Sequence, residues 1–378
     1  MPEPKHAVVK PGKLWIGGEW VDAVSGRTFE TSRKIPEAVF ATGQQKIVED
    51  LLDGDLASAH MGTVALGIRH VLCAPLRLMR YIESGQQEQH TIGVLYLDSR
   101  ERGALRSATV QAALETLSAE AALAIENARL YREALDKAKI DQELKVAAAI
   151  QQSLLPPGDH KGSYFTAYAA SEPCRSVGGD FFDYIDMSNG DLGFIVGDIA
   201  GKGSPAALLA AAVLGMFSAE AFYQTGSSSP ITRVNAGLFR RAIEARFLTA
   251  FYGILHKDGS LIFTNAGHNP PILVKKNSIM RLEAGGVVLG LFETATFEQE
   301  QVMLEKGDVL LAFSDGVTEA MNEANEEFGD DQLVALMRNR HGQDPRKILK
   351  ELIEEVKKFT GDALQSDDVT MMAVRYEG

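Results

Sequence analysis

The sequence predicts an α+β protein: an N-terminal α/β region, a long connecting helix, and a C-terminal region of strands and helices. Three observations predict it. Strong helix formers run from about Ser107 to Leu155 with no Gly or Pro inside, until Pro156-Pro157-Gly158 stops the run. Before that helix stand two apolar strand signals, HVLCAPL (His70–Leu76) and TIGVLYL (Thr91–Leu97). After it the texture changes to short apolar runs, glycine-rich turns and amphipathic helices. The expected division is an irregular segment over residues 1–31, a small domain over 32–120, a helical linker over 121–155 and a larger domain over 156–378.

Taken in order, residues 1–31 carry turn signals at Gly17-Gly18 and Ser25-Gly26 but no helical period. The polar stretch ESGQQEQ is read as the connection between the two N-terminal strands. Along the long helix, Leu123, Leu130, Ile140, Leu144, Ala147 and Leu154 recur at roughly heptad steps, though Asp, Lys and Gln interrupt the seam. This predicts pairing with a second copy of the chain, against the alternative of a helix packed on its own domain. Further on, Pro205–Phe222 reads as a helix with Ser204 as N-cap. Pro345–Phe359 reads as another, capped by Asp344, with Ile348, Leu349, Leu352, Ile353 and Val356 on one face. Lys257-Asp258-Gly259 marks a hairpin between FLTAFYGIL and LIFTN.

Length and composition narrow the function classes. The chain has 378 residues, 45% of them hydrophobic and 24% charged, values of ordinary globular domains. No uncharged apolar run reaches the roughly 18 residues of a membrane span, and the N-terminus lacks the apolar core of a signal peptide. The expectation is a cytoplasmic protein with no membrane partner. A net charge of −13 argues against a nucleic-acid partner. The two cysteines, Cys73 and Cys174, cannot form a cysteine zinc site.

Four aspartates carry the chemistry: Asp180 in VGGDFFDYID, Asp198 in FIVGDIAGKG, Asp315 in VLLAFSDGV and Asp367 in SDDVTMMAV. Each borders an apolar strand, with Gly178, Gly179, Gly197 or Gly316 allowing close backbone approach beside three of them. Gathered carboxylates repel and raise one another's pKa, and a hard divalent cation removes that penalty. Oxygen ligands without histidine favour Mg²⁺ or Mn²⁺ over zinc. Two such ions can share a water, lower its pKa and hold it in line for attack on phosphorus, so no side-chain nucleophile is required.

The first pair permits a geometric expectation. Asp180 and Asp198 are equidistant from Asn189, so they face one another only if the hairpin loop is odd-numbered. A three-residue loop with Gly190 left-handed, or a bulge at Gly197, meets that condition, and a two- or four-residue loop does not. GKGS at Gly201–Ser204 fails the spacing of a P-loop, which leaves Lys202 as either a phosphate-proximal charge or a solvated loop lysine. His268, in TNAGHNPP, is read as a structural turn residue.

The motifs IQQSLLP, VGGDFFDY, GDIAGKGSPAALLAA, FLTAFYGIL, TNAGHNPP, LLAFSDGVTEA and SDDVTMMAV, in this order from Ala147 to Tyr376, resemble the stage-II-sporulation-protein-E phosphatases. These are a branch of the type 2C metal-dependent protein phosphatases. The resemblance implies an αββα sandwich of two antiparallel sheets. It implies two Mn²⁺ or Mg²⁺ ions held by Asp180, Asp198, the backbone carbonyl of Ile199, Asp315 and Asp367, with Asp368, Gly179 and Gly316 just behind them. It also implies a protein serine/threonine phosphatase acting on a phosphorylated anti-sigma-factor antagonist. Val288 departs from the family's usual proline. HVLCAPL, IGVLYLDSR and AALAIENARLY resemble a GAF sensor domain, either lacking its first helix and two strands or completing them from the opening residues. Its ligand is unspecified. The opening KLWIGGEWVDAVSGRTFET is also similar to aldehyde dehydrogenases, but no other motif of theirs follows. The other function classes compatible with the sequence are a silent phosphoprotein-binding scaffold and a ligand-sensing dimerisation module.

Overall fold

The computed structural model describes residues 13–16, 19–22, 34–51, 64, 67–81, 87–101, 103–222, 226–240 and 247–378. The turn signals at Gly17-Gly18 and Ser25-Gly26 lie outside them. The chain divides into two compact units, Met1–Ala138 and Lys139–Gly378.

In the first unit, β1 (Lys13–Ile16) and β2 (Glu19–Asp22) form an antiparallel pair. Then come α1 (Lys34–Thr42), β3 (Lys46–Val48), β4 (His70–Tyr81) and β5 (Gln87–Ser99), the three strands forming an antiparallel sheet in the order β3-β4-β5. Alternation along β4 sets its two faces. Val71 and Cys73 pack with Ile35 and Val39 of α1, whereas Leu72 and Ala74 pack with Leu114 of the next helix. β5 starts at Gln87, so the last part of ESGQQEQ is strand rather than connection: the hairpin ladder continues to Tyr81↔Gln87.

Helix α2 runs Ala108–Leu154 and contains the boundary between the units. Ser107 caps it, its hydroxyl accepting from the amide of Val110 at 3.1 Å. Leu123, Leu130, Ile140, Ile150 and Leu154 are exposed along it.

The second unit is a two-sheet sandwich covered by helices on both sides. Its first sheet has the order β14-β11-β10-β9-β8: β8 is Phe181–Asp186, β9 Leu192–Ile199, β10 Leu248–Leu255, β11 Ser260–Ala266 and β14 Gly285–Gly286. A further strand, β15 (Glu300–Met303), pairs with β11. The second has the order β13-β12-β16-β17-β7-β6: β6 is Asp159–Lys161, β7 Phe165–Glu172, β12 Ile272–Val274, β13 Ile279–Arg281, β16 Val309–Phe313 and β17 Val369–Tyr376. All pairings in both are antiparallel except β11 with the two-residue β14.

The burial period explains the layers. Phe182, Phe194, Val196, Phe251 and Phe263 of the first sheet meet Ala167, Leu310, Ala312, Met372 and Val374 of the second in the central core. On the first sheet's outer face, Phe181, Ile195, Ile199 and Ala250 pack under α3 (Ser204–Ala221) and α4 (Ser228–Arg240). On the second's, Val309, Leu311, Phe313, Met371 and Ala373 pack under α6 (Asp330–Met337) and α7 (Pro345–Thr360). This is the αββα order that the motifs imply.

The two helices anticipated in this unit both form, one with a different cap. Asp344 caps α7, accepting from the amide of Lys347 at 3.2 Å, and Ile348, Leu349, Leu352 and Val356 are buried on one face. In α3, Ser204 is already helical and the cap position falls to Gly203, with no side-chain cap bond. By composition α3 alone among the described helices could cross a membrane, yet Leu209, Val213 and Phe217 bury into the sandwich, as in a core helix.

Candidate metal centre

Strand alternation brings the acidic residues together. In β8 and β9 the even-numbered side chains, Phe182, Phe194 and Val196, face the sandwich interior. Asp180 and Asp198 continue that parity at the open end of the sheet. β8 pairs with β9 so that Phe181 faces Gly197 and Asp186 faces Leu192. Met187 and Asp191 close the hairpin, leaving the three-residue loop Ser188-Asn189-Gly190, in which Gly190 takes φ 82°. The odd-numbered loop required for facing carboxylates is therefore present, and only a residue tolerant of the left-handed region suits its last position.

The second sheet supplies the opposite wall by the same parity. Leu310 and Ala312 of β16 point inward, as do Met372 and Val374 of β17. Ser314, at the end of β16, and Thr370 and Asp368, at the start of β17, are buried. Asp315 opens the short helix α5 (Asp315–Thr318) directly after Ser314. Asp367 stands beside Asp368 at the mouth.

Asp368 organises the loop in front of β8. Its carboxylate accepts the amides of Cys174 and Gly179, each at 2.7 Å, and of Asp180 at 3.4 Å. Gly316 lies against the Asp368 backbone, where a Cβ would collide with the carbonyl oxygen. A Cβ on Gly179 would lie 2.9 Å from the Ile199 carbonyl oxygen and 3.3 Å from Asp198 Oδ1. Lys202 pairs with Asp367 Oδ2 at 2.7 Å and donates to the Ser366 carbonyl at 2.5 Å. Its position is thus fixed by Asp367.

The electrostatics are those of charges crowded away from water. Burial first, and then the charge of Asp198, hold Asp180 well above the usual carboxylate range; nearby hydroxyls of Ser314 and Thr370 oppose this in part. Asp180 Oδ2 is buried with no hydrogen-bond partner. Burial, then Asp315, Asp367 and Asp368, push Asp198 up to about 7. Asp315 is raised by burial and by Asp367. A buried carboxylate oxygen left without a donor costs free energy, and in a cluster of three raised aspartates a proton or a cation is the natural counter-charge. The donor set of carboxylates with a peptide carbonyl fits a hard divalent ion.

Asp367 and Asp368 also come within 4.8 Å of the Cys174 sulfur. The thiol is a poor ligand here, since burial and then Asp368 push it up to about 11. His268 takes no part. It is buried, its Nδ1 lies 2.9 Å from Thr249 Oγ1, and its amide donates to Asn265 Oδ1 at 2.8 Å. Burial lowers its pKa to about 4, so it stays neutral.

Two residues near the site carry no functional assignment from the sequence. Gln151, in the last turn of α2, donates to the Gly178 carbonyl at 2.7 Å and accepts its amide at 3.1 Å. Its place in IQQSLLP gives no hint of this, because the contact spans two elements. Glu319 has its pKa raised by burial and then by Asp315. It stands one helical turn after Asp315, and that spacing was the available signal.

Comparison with known proteins decides the family. Stage II sporulation protein E (SpoIIE) matches residues 188–377, half of the chain, and the GAF domain matches residues 7–125. The chain belongs to the SpoIIE family. It carries a PP2C-type serine/threonine phosphatase domain and an N-terminal GAF domain. The SpoIIE match begins inside the β8–β9 hairpin, yet β6, β7 and β8 are paired into the same two sheets. The GAF match takes in residues before position 32.

The chain is 28% identical over 242 residues to phosphoserine phosphatase RsbU of Bacillus subtilis, covering 63% of this chain and 71% of RsbU. It is 27% identical over 261 residues to protein IcfG of Synechocystis sp., covering 61% of this chain and 41% of IcfG. The SiaA-PP2C domain of Pseudomonas aeruginosa superposes with a TM-score of 0.57 at 19% identity, covering 64% of this chain and 99% of that domain, a likeness of fold.

Proposed function

We propose that the SpoIIE domain removes phosphate from phosphoserine or phosphothreonine on a regulatory protein of the anti-sigma-factor-antagonist kind, under control of the GAF domain. The observation that carries the reading is the buried, unpartnered Asp180 Oδ2 beside Asp198 and Asp315, all with raised pKa. The relation to RsbU, itself named a phosphoserine phosphatase, supports the substrate class.

Asp180, Asp198, the Ile199 carbonyl, Asp315 and Asp367 would hold two Mg²⁺ or Mn²⁺ ions. Bound there, the ions would acidify a water and offset charge on the phosphoryl group. The chain's own residues do the positioning. Asp368 ties the Cys174–Asp180 loop to β17, Lys202 orients Asp367, and the two-way bond of Gln151 holds Gly178 two residues before Asp180. Two sides of the sandwich thereby reach one carboxylate cluster, which suits phosphoryl transfer, where placement and charge do most of the work.

The exposed apolar residues of α2 support a homodimer in which a second copy covers them. We place this assembly in the cytoplasm, with a small molecule of unspecified kind at the GAF domain. Incubation of a phosphorylated anti-sigma-factor antagonist with the protein and Mn²⁺, followed by mass spectrometry, tests the proposal. Loss of 80 Da from the phosphoserine, about the mass of one HPO₃ unit, is the expected outcome. A phosphoprotein unchanged under conditions where an aryl phosphate is hydrolysed would overturn the substrate assignment.

A further inference from the structure

Beside the acidic cluster, on the α7 side, lies a small apolar recess that opens to solvent. Ala320, Met321, Ile353, Val356 and Leu364 give it apolar walls. Two further lining residues are immediate neighbours of the proposed metal ligands: Gly316 follows Asp315, and Ser366 precedes Asp367. The segment 361–367 is therefore a shared wall, with Leu364 towards the recess and Asp367 towards the cluster.

That wall is fixed from both sides. Gln365 Nε2 donates to the carbonyls of Glu172 at 2.9 Å and Asp367 at 2.7 Å, while Lys202 holds the Ser366 carbonyl. The charged groups at the recess, Glu172 and Lys357, already pair with one another at 2.7 Å. The recess thus offers apolar surface with little free charge to orient a polar ligand. Leu364 is 94% exposed at its mouth, which the fold alone does not require.

We propose that this recess receives an apolar side chain of the phosphoprotein substrate, within three residues of the phosphorylated serine or threonine. The inference rests on the phosphatase reading and specifies what its substrate carries. A polypeptide presenting a phosphoryl group to Asp198, Asp315 and Asp367 can lie along this edge, because Gly316 and Ser366 line the recess directly next to two of those aspartates. An extended chain advances about 3.3 Å per residue, so side chains within three positions of the phosphorylated residue lie within about 10 Å of it, on the scale of neighbouring features at one edge. Burying one aliphatic side chain corresponds to roughly a tenfold to hundredfold preference.

The test uses the full-length protein with Mn²⁺ and a set of phosphoserine heptapeptides. Each position from three before to three after the phosphoserine is leucine in one member and aspartate in another. An aryl phosphate, too small to reach the recess, is the reference. The expected result is a leucine preference of at least about tenfold in kcat/KM at one position, expressed through KM. That preference should collapse in Leu364→Asp, which changes the mouth, and in Ala363→Trp, which fills the recess; the readout is the ratio to the aryl ester. Hydrolysis of all peptides without an apolar preference, or a preference that survives both variants, overturns this inference and leaves the phosphatase reading standing. Absence of metal-stimulated release from every substrate overturns the phosphatase reading and the inference with it.

Discussion

Replacing Asp198 with asparagine should make the metal-free protein more stable at pH 8, while removing its activity. Burial and three neighbouring aspartates raise this carboxyl to about 7 in the folded chain, against about 3.9 in an unfolded one. Because the folded pKa is the higher one, the unfolded state releases its proton first as pH rises. The group therefore destabilises the fold progressively between about pH 4 and pH 7, and fully above that. At about 1.4 kcal/mol per pKa unit, the penalty is about 4 kcal/mol at pH 8 and about 1.5 kcal/mol at pH 5. Asparagine retains a polar group there and neighbours relax, so a gain of about 2–4 kcal/mol is expected, or roughly 5–10 °C in melting temperature for a domain of this size. Melts in EDTA at pH 5 and pH 8 measure it. The gain should shrink at the lower pH, and saturating Mn²⁺ should stabilise the wild type more than the variant. A variant that melts no higher than wild type at pH 8 without metal, or a difference independent of pH, would refute the crowded-carboxylate account.

Asp198→Ala and Asp315→Ala should each lower phosphate release by about a thousandfold or more with a native circular dichroism spectrum; activity within tenfold of wild type in both would remove the metal assignment. Gln151→Ala should reduce kcat by about tenfold, since it breaks two hydrogen bonds to Gly178 worth about 1 kcal/mol each; an unchanged kcat would show that the end of α2 does not position the site. His268→Gln should leave the pH–rate profile between pH 6 and 9 unaltered, because the imidazole, lowered to about 4, stays neutral there; a lost acidic limb would make His268 a titrating participant. Light scattering at micromolar concentration should give twice the chain mass of 41.0 kDa, and Leu130→Asp with Leu144→Asp should halve it; a monomeric wild type would remove the dimer.

Much of the site was legible because it follows from strand parity. Asp180 and Asp198 sit at equal distances from a glycine-bearing turn, and Asp315 and Asp367 flank apolar strands, so sequence spacing alone marks an acidic edge. The helix behind Asp344 was equally plain, since its cap and apolar face are local. What the sequence did not reveal depends on contacts between distant segments. Gln151 acts through a loop twenty-seven positions away. The Lys202–Asp367 pair spans most of the domain, so Lys202 could not be told from a solvated lysine. At the start of α3, Ser204 looked like a cap because serine usually is one; the left-handed Gly203 holds that position, with φ 77°. Near the end of α2, Ile150 and Leu154 are exposed, while the neighbouring Gln151 and Leu155 contact the phosphatase domain.

The central claim is that the cluster around Asp180 and Asp198 is a divalent-metal site that hydrolyses phosphate esters. Release of inorganic phosphate from an aryl phosphate tests it most directly, with wild type and Asp315→Ala assayed side by side in Mn²⁺, in Mg²⁺ and in EDTA. The account predicts release by the wild type with either metal, none in EDTA, and at most about a thousandth of the rate in the variant. Release that persists in EDTA, or that the variant matches, would contradict it.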